Sequence, residues 1–481
     1  MEEHLLSFPI TPEQQHATKS YTILTRRWYI LFVASLVAFE QGFIWNNFGP
    51  IALTLKNETV FNWNDATIAW MGNWGPIAYV LAFMPTAWML DVHGLRPTAL
   101  GAAGLIVIGT GVRLISTGPT TSCLYLMHLG QALNGLAGPF AMSAGTVLSA
   151  WWFAPTERTT STAIFCISNM AGVSASYLVG PLLVPQNGTI QDVRTYLWIS
   201  FGLACIALFL VVVYLPSKPP IGYEPSRTSS TVRLNIVEGM KALSQQRNFW
   251  YICISYGAMA GLYSGWGPLY ALIINTLGKK VAPTPQITAS WIGFYSNISG
   301  NIGGMVVSIL ADKGIGRNHF KTILIVLSSL GVVVYIIFAV LFVRKDLLQH
   351  LGLPVIYTLC ILGGVVINST VPIFYELAVD TTYPVAEGLT TSVLTVMNNI
   401  GGLVFLLLPS IGVVIGDWVN YTVGGACLVS VICMSLFQGK LKRTNEDSED
   451  SFPIKIGGIR IDQKIKSGWE SPAAFMKMAE T

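Results

Sequence analysis

The chain has 481 residues, of which 52% are hydrophobic and only 11% charged, against about 25% charged in a soluble domain. With a mean hydropathy of +0.56, the apolar excess is more than a soluble core hides, so the composition excludes a soluble enzyme and implies an integral membrane protein. The net charge of +4 comes without any long run of like charges, which leaves nucleic acid out as a partner.

Residues 1–27, opening MEEHLLSFPITPEQQ, are polar and read as a cytosolic segment, not a cleaved signal. Glu2, Leu5 and Leu6 come one residue short of an acidic dileucine sorting signal. A bilayer crossing needs roughly 20 apolar residues. Such windows fall at about 28–55, 67–90, 98–117, 123–150, 159–183 and 195–215. Six more fall at about 249–277, 287–311, 320–343, 353–375, 388–409 and 419–438. The stretch 216–248, rich in Pro and Ser, divides them into an N-terminal bundle (28–215) and a C-terminal bundle (249–438). The charged tail 439–481 is expected to be disordered. Cys123, Cys166, Cys205, Cys253, Cys360, Cys427 and Cys433 have no CxxC spacing, so they read as small core residues; no metal or cofactor is implied.

With the N-terminus in the cytosol, the outer connections carry only Lys56, Arg194, Lys279, Lys280, Arg344 and Lys345. The other basic residues outside the spans fall on the cytosolic side, so both termini are expected there. The sequons at Asn57, Asn187 and Asn420 fall on the outer side and are expected to carry glycans, while Asn297 and Asn368 lie in spans.

Trp70 opens the second span and Asp91 closes it, and Trp291 and Asp312 do the same in the eighth at equal separation. LDVHGLR (90–96) and ADKGIGR (311–317) are therefore equivalent turns. FGPIALTL and WGPLYALI, and PTER and PVAEG, pair in the same way. The predicted fold is all-α and membrane-spanning, with twelve transmembrane helices in two parallel, pseudo-symmetric six-helix bundles, the plan of secondary transporters. In the repeated turns glycine reverses the chain. Asp91 and Asp312 suit the N-terminus of a neighbouring helix, and Arg96 and Arg317 anchor the turn. With Glu157, Arg158 and Glu376 they are the expected gating residues, a charged turn without a switching role being the alternative.

Polar groups within spans are costly and mark function. Glu40 lies near mid-membrane in the first span, and His128 lies in the fourth. Both are candidate proton carriers; the alternatives are a Glu40 paired with Arg113 or hydrogen-bonded to Gln41 or Asn47, and a structural His128. Arg113 reads as structural. Trp45, Asn46 and Asn47 precede Gly49 and Pro50, and Tyr263 and Trp266 precede Gly267 and Pro268. Proline breaks the helical ladder and frees carbonyls. These clusters are expected to face each other across a central cavity, offering aromatic faces to a flat or cationic solute. Gln131, Asn134, Asn398 and Asn399 are the candidate hydrogen-bonding amides.

The repeated turns resemble the signature turn of the major facilitator superfamily, with Ala87 and Ser308 in place of its leading glycine and Pro97 in place of its second basic residue. FIWNNFGPI (43–51), GQALNGLAGP (130–139), WIGF (291–294) and NSTVPIFYELAVDTTYPVAEG (368–388) are similar to solute carrier family 49, most of all to the branch called disrupted in renal carcinoma two. That resemblance implies a lysosomal, proton-coupled exporter of pyridoxine, with heme and choline carriers in the sister branch and the plasma membrane as the alternative location. The substrate tyrosine and span-eleven glutamine of the choline carriers correspond to Tyr263 and Asn399, and their span-one tryptophan falls near Gly42, a turn from Trp45. The expected partners are a small solute, protons and the bilayer, with the chain a monomer. A membrane sensor that binds a solute without moving it is the second class. A membrane enzyme lacks a clustered nucleophile, and an ATP-driven pump lacks a Walker A string.

Overall fold

The computed structural model describes residues 26–185, 187–220, 234, 236–266, 285–311, 319–407, 419–439, 441–444, 454–456 and 459–461. The N-terminal half contains α1 (Arg26–Trp45), a short α2 (Ala52–Lys56), α3 (Asp65–Trp88), α4 (Leu95–Leu114), α5 (Thr121–Leu136), α6 (Gly138–Trp152), α7 (Arg158–Leu183) and α8 (Ile190–Val213). A linker helix α9 (Ile236–Gln245) leads into α10 (Arg247–Tyr256), a π turn (Gly257–Gly261) and α11 (Leu262–Trp266). Then follow α12 (Pro285–Leu310), α13 (Phe320–Val343), α14 (Lys345–Leu351), α15 (Leu353–Thr382), α16 (Glu387–Leu407) and α17 (Val419–Leu436). Among the described residues, 8 helices are long and apolar enough to cross a bilayer by themselves. The crossings broken by a turn, α5 with α6 and α10 with α11, together with α12 and α17, complete the twelve.

The helix starts follow from local chemistry. Asn64 accepts from the Thr67 backbone N–H at 2.8 Å to begin α3, and Thr189 and Asp192 form a capping box at the start of α8. Buried apolar residues divide into two clusters, one drawn from residues 30–215. The other is drawn from residues 243–437 with Ala87 and Cys166 added. The halves repeat each other's packing: α1 lies on α7 as the π turn at 257–261 lies on α16, and α4 lies on α8 as α13 lies on α17. Between the halves, α7 packs on α12 and α3 on α16.

The 90–94 turn shows how its charges are used. Gly94 sits at φ +92°, a conformation open to glycine. Asp91 lies against Gly388, in the first turn of α16, so closely that a Cβ there would come 2.7 Å from its Oδ1. The carboxylate thus meets the positive end of a helix of the other half. Arg96 Nη2 donates to the Val212 carbonyl at 3.1 Å, at the end of α8. The equivalent Asp312 and Arg317 lie outside the described residues.

On the same, predicted cytosolic, side Arg27 grips Glu157 with contacts of 2.7 and 3.0 Å, while Arg158 is buried. Several hydrogen bonds cross between the halves there. Thr162 donates to Glu376 at 2.6 Å, Thr146 meets Thr391 at 3.3 Å, and Tyr79 donates to the Ser392 carbonyl at 3.5 Å. The expectation of a disordered tail from residue 439 is corrected at residues 441–444. Arg443 is buried and pairs with Glu376 at 2.6 Å, and Thr444 bonds Asp380 through both its backbone N–H and its hydroxyl. Strands β1 (Ile454–Ile456) and β2 (Ile459–Ile461) form an antiparallel pair beyond them. Local composition predicted disorder because the acidic partners of this segment lie far back in the chain.

The close crossing of α1 and α7 uses glycine on both helices. A Cβ on Gly172 would overlap the Phe39 carbonyl and lie 2.8 Å from Phe43 N, and Gly42 packs equally tightly on the Asn169 carbonyl. Overfilling a packed core costs about 1–3 kcal/mol, and helices in membranes need small residues where backbones meet. Gly172→Leu should therefore lower the thermal midpoint in detergent by several degrees. Gly104→Leu, where a Cβ would meet nothing within 4 Å, should not; equal midpoints for the two variants would refute this account of the crossing.

The sequons separate by exposure. Asn57 and Asn187 are exposed, whereas Asn420 is only 3% exposed in the first turn of α17, which removes it as a glycan site in the folded chain. Burial in the first turn of a span overrides its expected outer-side position. Mass shifts after glycosidase treatment are expected from Asn57→Gln and Asn187→Gln and not from Asn420→Gln; a glycan on Asn297 or Asn368 would contradict the topology.

Candidate functional site: a central cavity of rings and amides

Between the halves lies a cavity of about 1150 Å³, counting its mouth. Its aromatic wall is Trp45, Tyr79, Tyr177, Tyr256 and Tyr263, and its amides are Gln41, Asn46, Asn169, Asn297, Asn368, Asn398 and Asn399. Met142, Met170, Val173, Ile367 and Val371 supply apolar surface. Among the described residues the lining holds no Asp, Glu, Lys, Arg or His.

The walls are held by hydrogen bonds. The α1 helix ends at Trp45, short of Gly49 and Pro50, and the indole N–H of Trp45 donates to the Gly72 carbonyl at 3.2 Å. Gly75 makes room for this ring, because a Cβ there would overlap it. Asn46 donates to Ser176 at 2.8 Å, and Asn169 donates to Gln41 Oε1 at 2.8 Å. In the other half Tyr263 and Ser296 share a 2.8 Å hydrogen bond, and Asn399 donates back to the Thr395 carbonyl at 2.9 Å. Flat rings and neutral hydrogen-bonding groups of this kind surround a small organic solute without fixing an ion.

A model of the Major Facilitator Superfamily matches residues 31–406. The solute carrier family 49 member 4 homolog of Xenopus tropicalis is 33% identical over 435 residues, covering 88% of this chain and 93% of that protein. The chain belongs to the major facilitator superfamily, in solute carrier family 49. It is a multi-pass membrane transporter. The choline/ethanolamine transporter FLVCR2 of Rattus norvegicus is 26% identical over 394 residues, 79% of this chain and 68% of the relative. The human organic anion transporter MFSD10 shares the fold, with a TM-score of 0.58 at 14% identity over 86% of this chain and 98% of that one.

In this family 49 chain, Trp45, Asn46, Tyr263, Asn398 and Asn399 line the cavity, and four other predicted site residues do not. Trp266 is buried edge-on against Tyr335 and Phe338, with ring centres 5.7 and 5.3 Å away. It lies only about 60° round the helix from Tyr263, and both rings meet Tyr335, but only Tyr263 reaches the lining. Asn47 points to the back of α1, donating to Ser200 at 3.2 Å and accepting from Tyr196 at 3.0 Å. Gln131 and Asn134 face the N-terminal bundle, where they donate to the carbonyls of Trp45 and Gln41. Tyr79, Tyr177, Tyr256, Gln41 and Asn169 line the cavity without having been expected there, and so do Asn297 and Asn368, expected only as sequons within spans.

Glu40 is 1% exposed and lies behind the cavity wall, beside Gln41. Its Oε2 has no hydrogen-bond partner among the described residues. Arg113, one alternative partner, instead bonds Gln131 at 2.5 Å. His128 is half-buried, and its Nδ1 accepts from the Trp74 indole at 2.8 Å, which requires a ring nitrogen without a proton.

Proposed function

We propose that this transporter is a secondary, proton-coupled carrier that exports pyridoxine from lysosomes. The observation that carries the reading is the cavity lining: five aromatic side chains and seven amides with, among the described residues, no charged group. That surface suits a flat, hydroxylated ring, stacked on Trp45 or Tyr263 and hydrogen-bonded through the ring of asparagines. The similarity to family 49 member 4 supports the same branch of the family. The second reading is a choline or ethanolamine carrier, like the choline/ethanolamine transporter FLVCR2, and the same aromatic wall favours it by cation–π attraction. Gly42, near which the choline carriers' span-one tryptophan falls, is closed to any side chain by the Asn169 carbonyl, which counts against their binding geometry. The plasma membrane is the location that goes with the second reading.

Uptake of labelled pyridoxine, choline and heme into vesicles, with and without an inward-acid gradient, separates these readings. Pyridoxine flux stimulated by the gradient is the expected result. Choline flux alone establishes the second reading, and saturable binding without flux establishes a sensor. Tyr263→Ala removes a ring contact worth about 0.5–2 kcal/mol and should weaken apparent affinity several-fold with normal trafficking. Unchanged affinity would remove Tyr263 from the substrate contacts.

A further inference from the structure

Arg113 is fully buried in α4 and takes no part in the cavity lining. Among the described residues it has no acidic partner, and a buried cation within a bilayer is costly. Its contacts indicate what it does. Nη2 donates to Gln131 Oε1 at 2.5 Å, and the guanidinium lies 5.3 Å from the centre of the Phe48 ring.

A guanidinium can only donate, so the oxygen of the Gln131 amide must face it and the amide nitrogen must turn to the other side. On that side lies the main-chain carbonyl of Trp45, which accepts from Gln131 Nε2 at 2.8 Å. Trp45 is the last residue of α1, where carbonyls lose their helical partners. Its helical donor would be the N–H of Gly49, four residues on, and α1 does not run that far. Phe48 belongs to the same break in the helix. Arg113 therefore touches the break from both flanks, through Gln131 on one and the Phe48 ring on the other.

We propose that Arg113 is a positioning residue for transport. It sets the direction of the Gln131 amide, which holds the Trp45 carbonyl and so fixes the broken end of α1 that carries the Trp45 ring into the cavity wall. The alternative role, a buried charge in need of a polar neighbour, makes the opposite prediction for one substitution. In Gln131→Glu the carboxylate is a better partner for the guanidinium, but it offers no donor to the Trp45 carbonyl.

The test uses the full chain carrying Trp45→Cys, which keeps the main-chain carbonyl, with the parent chain as the labelling blank. The rate of modification by a membrane-impermeant methanethiosulfonate reagent is measured with Gln131→Glu, with Arg113→Met and with both. Each single change is expected to alter the rate several-fold, and the double variant no further than the larger single effect. An unchanged rate in Gln131→Glu overturns the proposal. Should Arg113→Met fail to reach the membrane, Gln131→Glu, which leaves the cation a partner, decides alone. A second readout rests on the pyridoxine reading: Gln131→Glu should raise the KM for tritiated pyridoxine in the parent chain but not in Trp45→Ala. A KM raised equally in both backgrounds also overturns the proposal. If the parent carries no pyridoxine, the proposed substrate fails, and the labelling result still decides the role of Arg113.

Discussion

Glu376→Ala is expected to open the cytosolic side of the transporter and to lower substrate flux tenfold or more. Glu376 is 3% exposed on α15. One carboxylate oxygen accepts from Thr162 of the N-terminal half at 2.6 Å, and the other pairs with Arg443 of the tail at the same distance. The group therefore joins both halves and the segment after the last span. Removing one member of a buried ion pair costs about 3–5 kcal/mol, because the other charge is left uncompensated. That cost falls on the state in which Arg443 is enclosed, which is the state closed to the cytosol. Moving a two-state equilibrium from 1:99 to 99:1 takes about 5.5 kcal/mol, so the penalty covers most of that range. Transport slows because a carrier held in one access state completes few cycles. The double variant Glu376→Ala with Arg443→Ala should regain part of the flux, since no orphaned charge remains. Cysteine labelling from the cytosolic side measures the shift. Wild-type labelling and flux in Glu376→Ala would show that this cluster does not hold the gate.

The fold was largely legible because a bilayer imposes long apolar windows and because the two turns at 90–96 and 311–317 repeat. The cavity was legible only in part. Polarity within an apolar span singles out a residue, but a helix buried on all sides gives no stripe to show which face looks into the cavity. Asn46 and Asn47 are neighbours in the sequence; the first lines the cavity and the second bonds Tyr196 and Ser200 inside the bundle. The repeat pairs Tyr263 with Trp45 and Trp266 with Phe48, and the later ring of each pair packs away from the cavity, Phe48 on Trp63 and Trp266 on Tyr335 and Phe338. Tyr79, Tyr177 and Tyr256 gave no signal, since a tyrosine in a span reads as packing. Arg443 was illegible because Glu376 lies 67 positions earlier, and only the tertiary fold brings them together.

Glu40→Gln is expected to abolish the pH dependence of transport while leaving substrate binding intact. On the proton-coupled reading, one group must be protonated in one access state and deprotonated in the other. Glu40 meets the geometric demand: it is buried in α1, with Oε2 unpartnered and with Gln41, a cavity residue, next in the chain. A carboxylate at that depth costs a few kcal/mol or more as an ion, and taking up a proton removes the cost. The two charge forms therefore favour different packings of α1, and α1 carries Trp45 and Asn46 at its cavity end. An acidic lumen loads the proton and so drives the solute outward down the proton gradient. Glutamine imitates the protonated form, so Glu40→Gln should bind pyridoxine with near-wild-type affinity and exchange it across the membrane. It should show no stimulation by an inward-acid gradient. His128 is the rival carrier. Protonating its Nδ1 would place two donors face to face and break the bond from the Trp74 indole. The decisive comparison is the pH profile of uptake for Glu40→Gln beside that of His128→Ala. A wild-type profile in Glu40→Gln with a flat one in His128→Ala would transfer the coupling role to the histidine and leave Glu40 as a buried, permanently protonated acid.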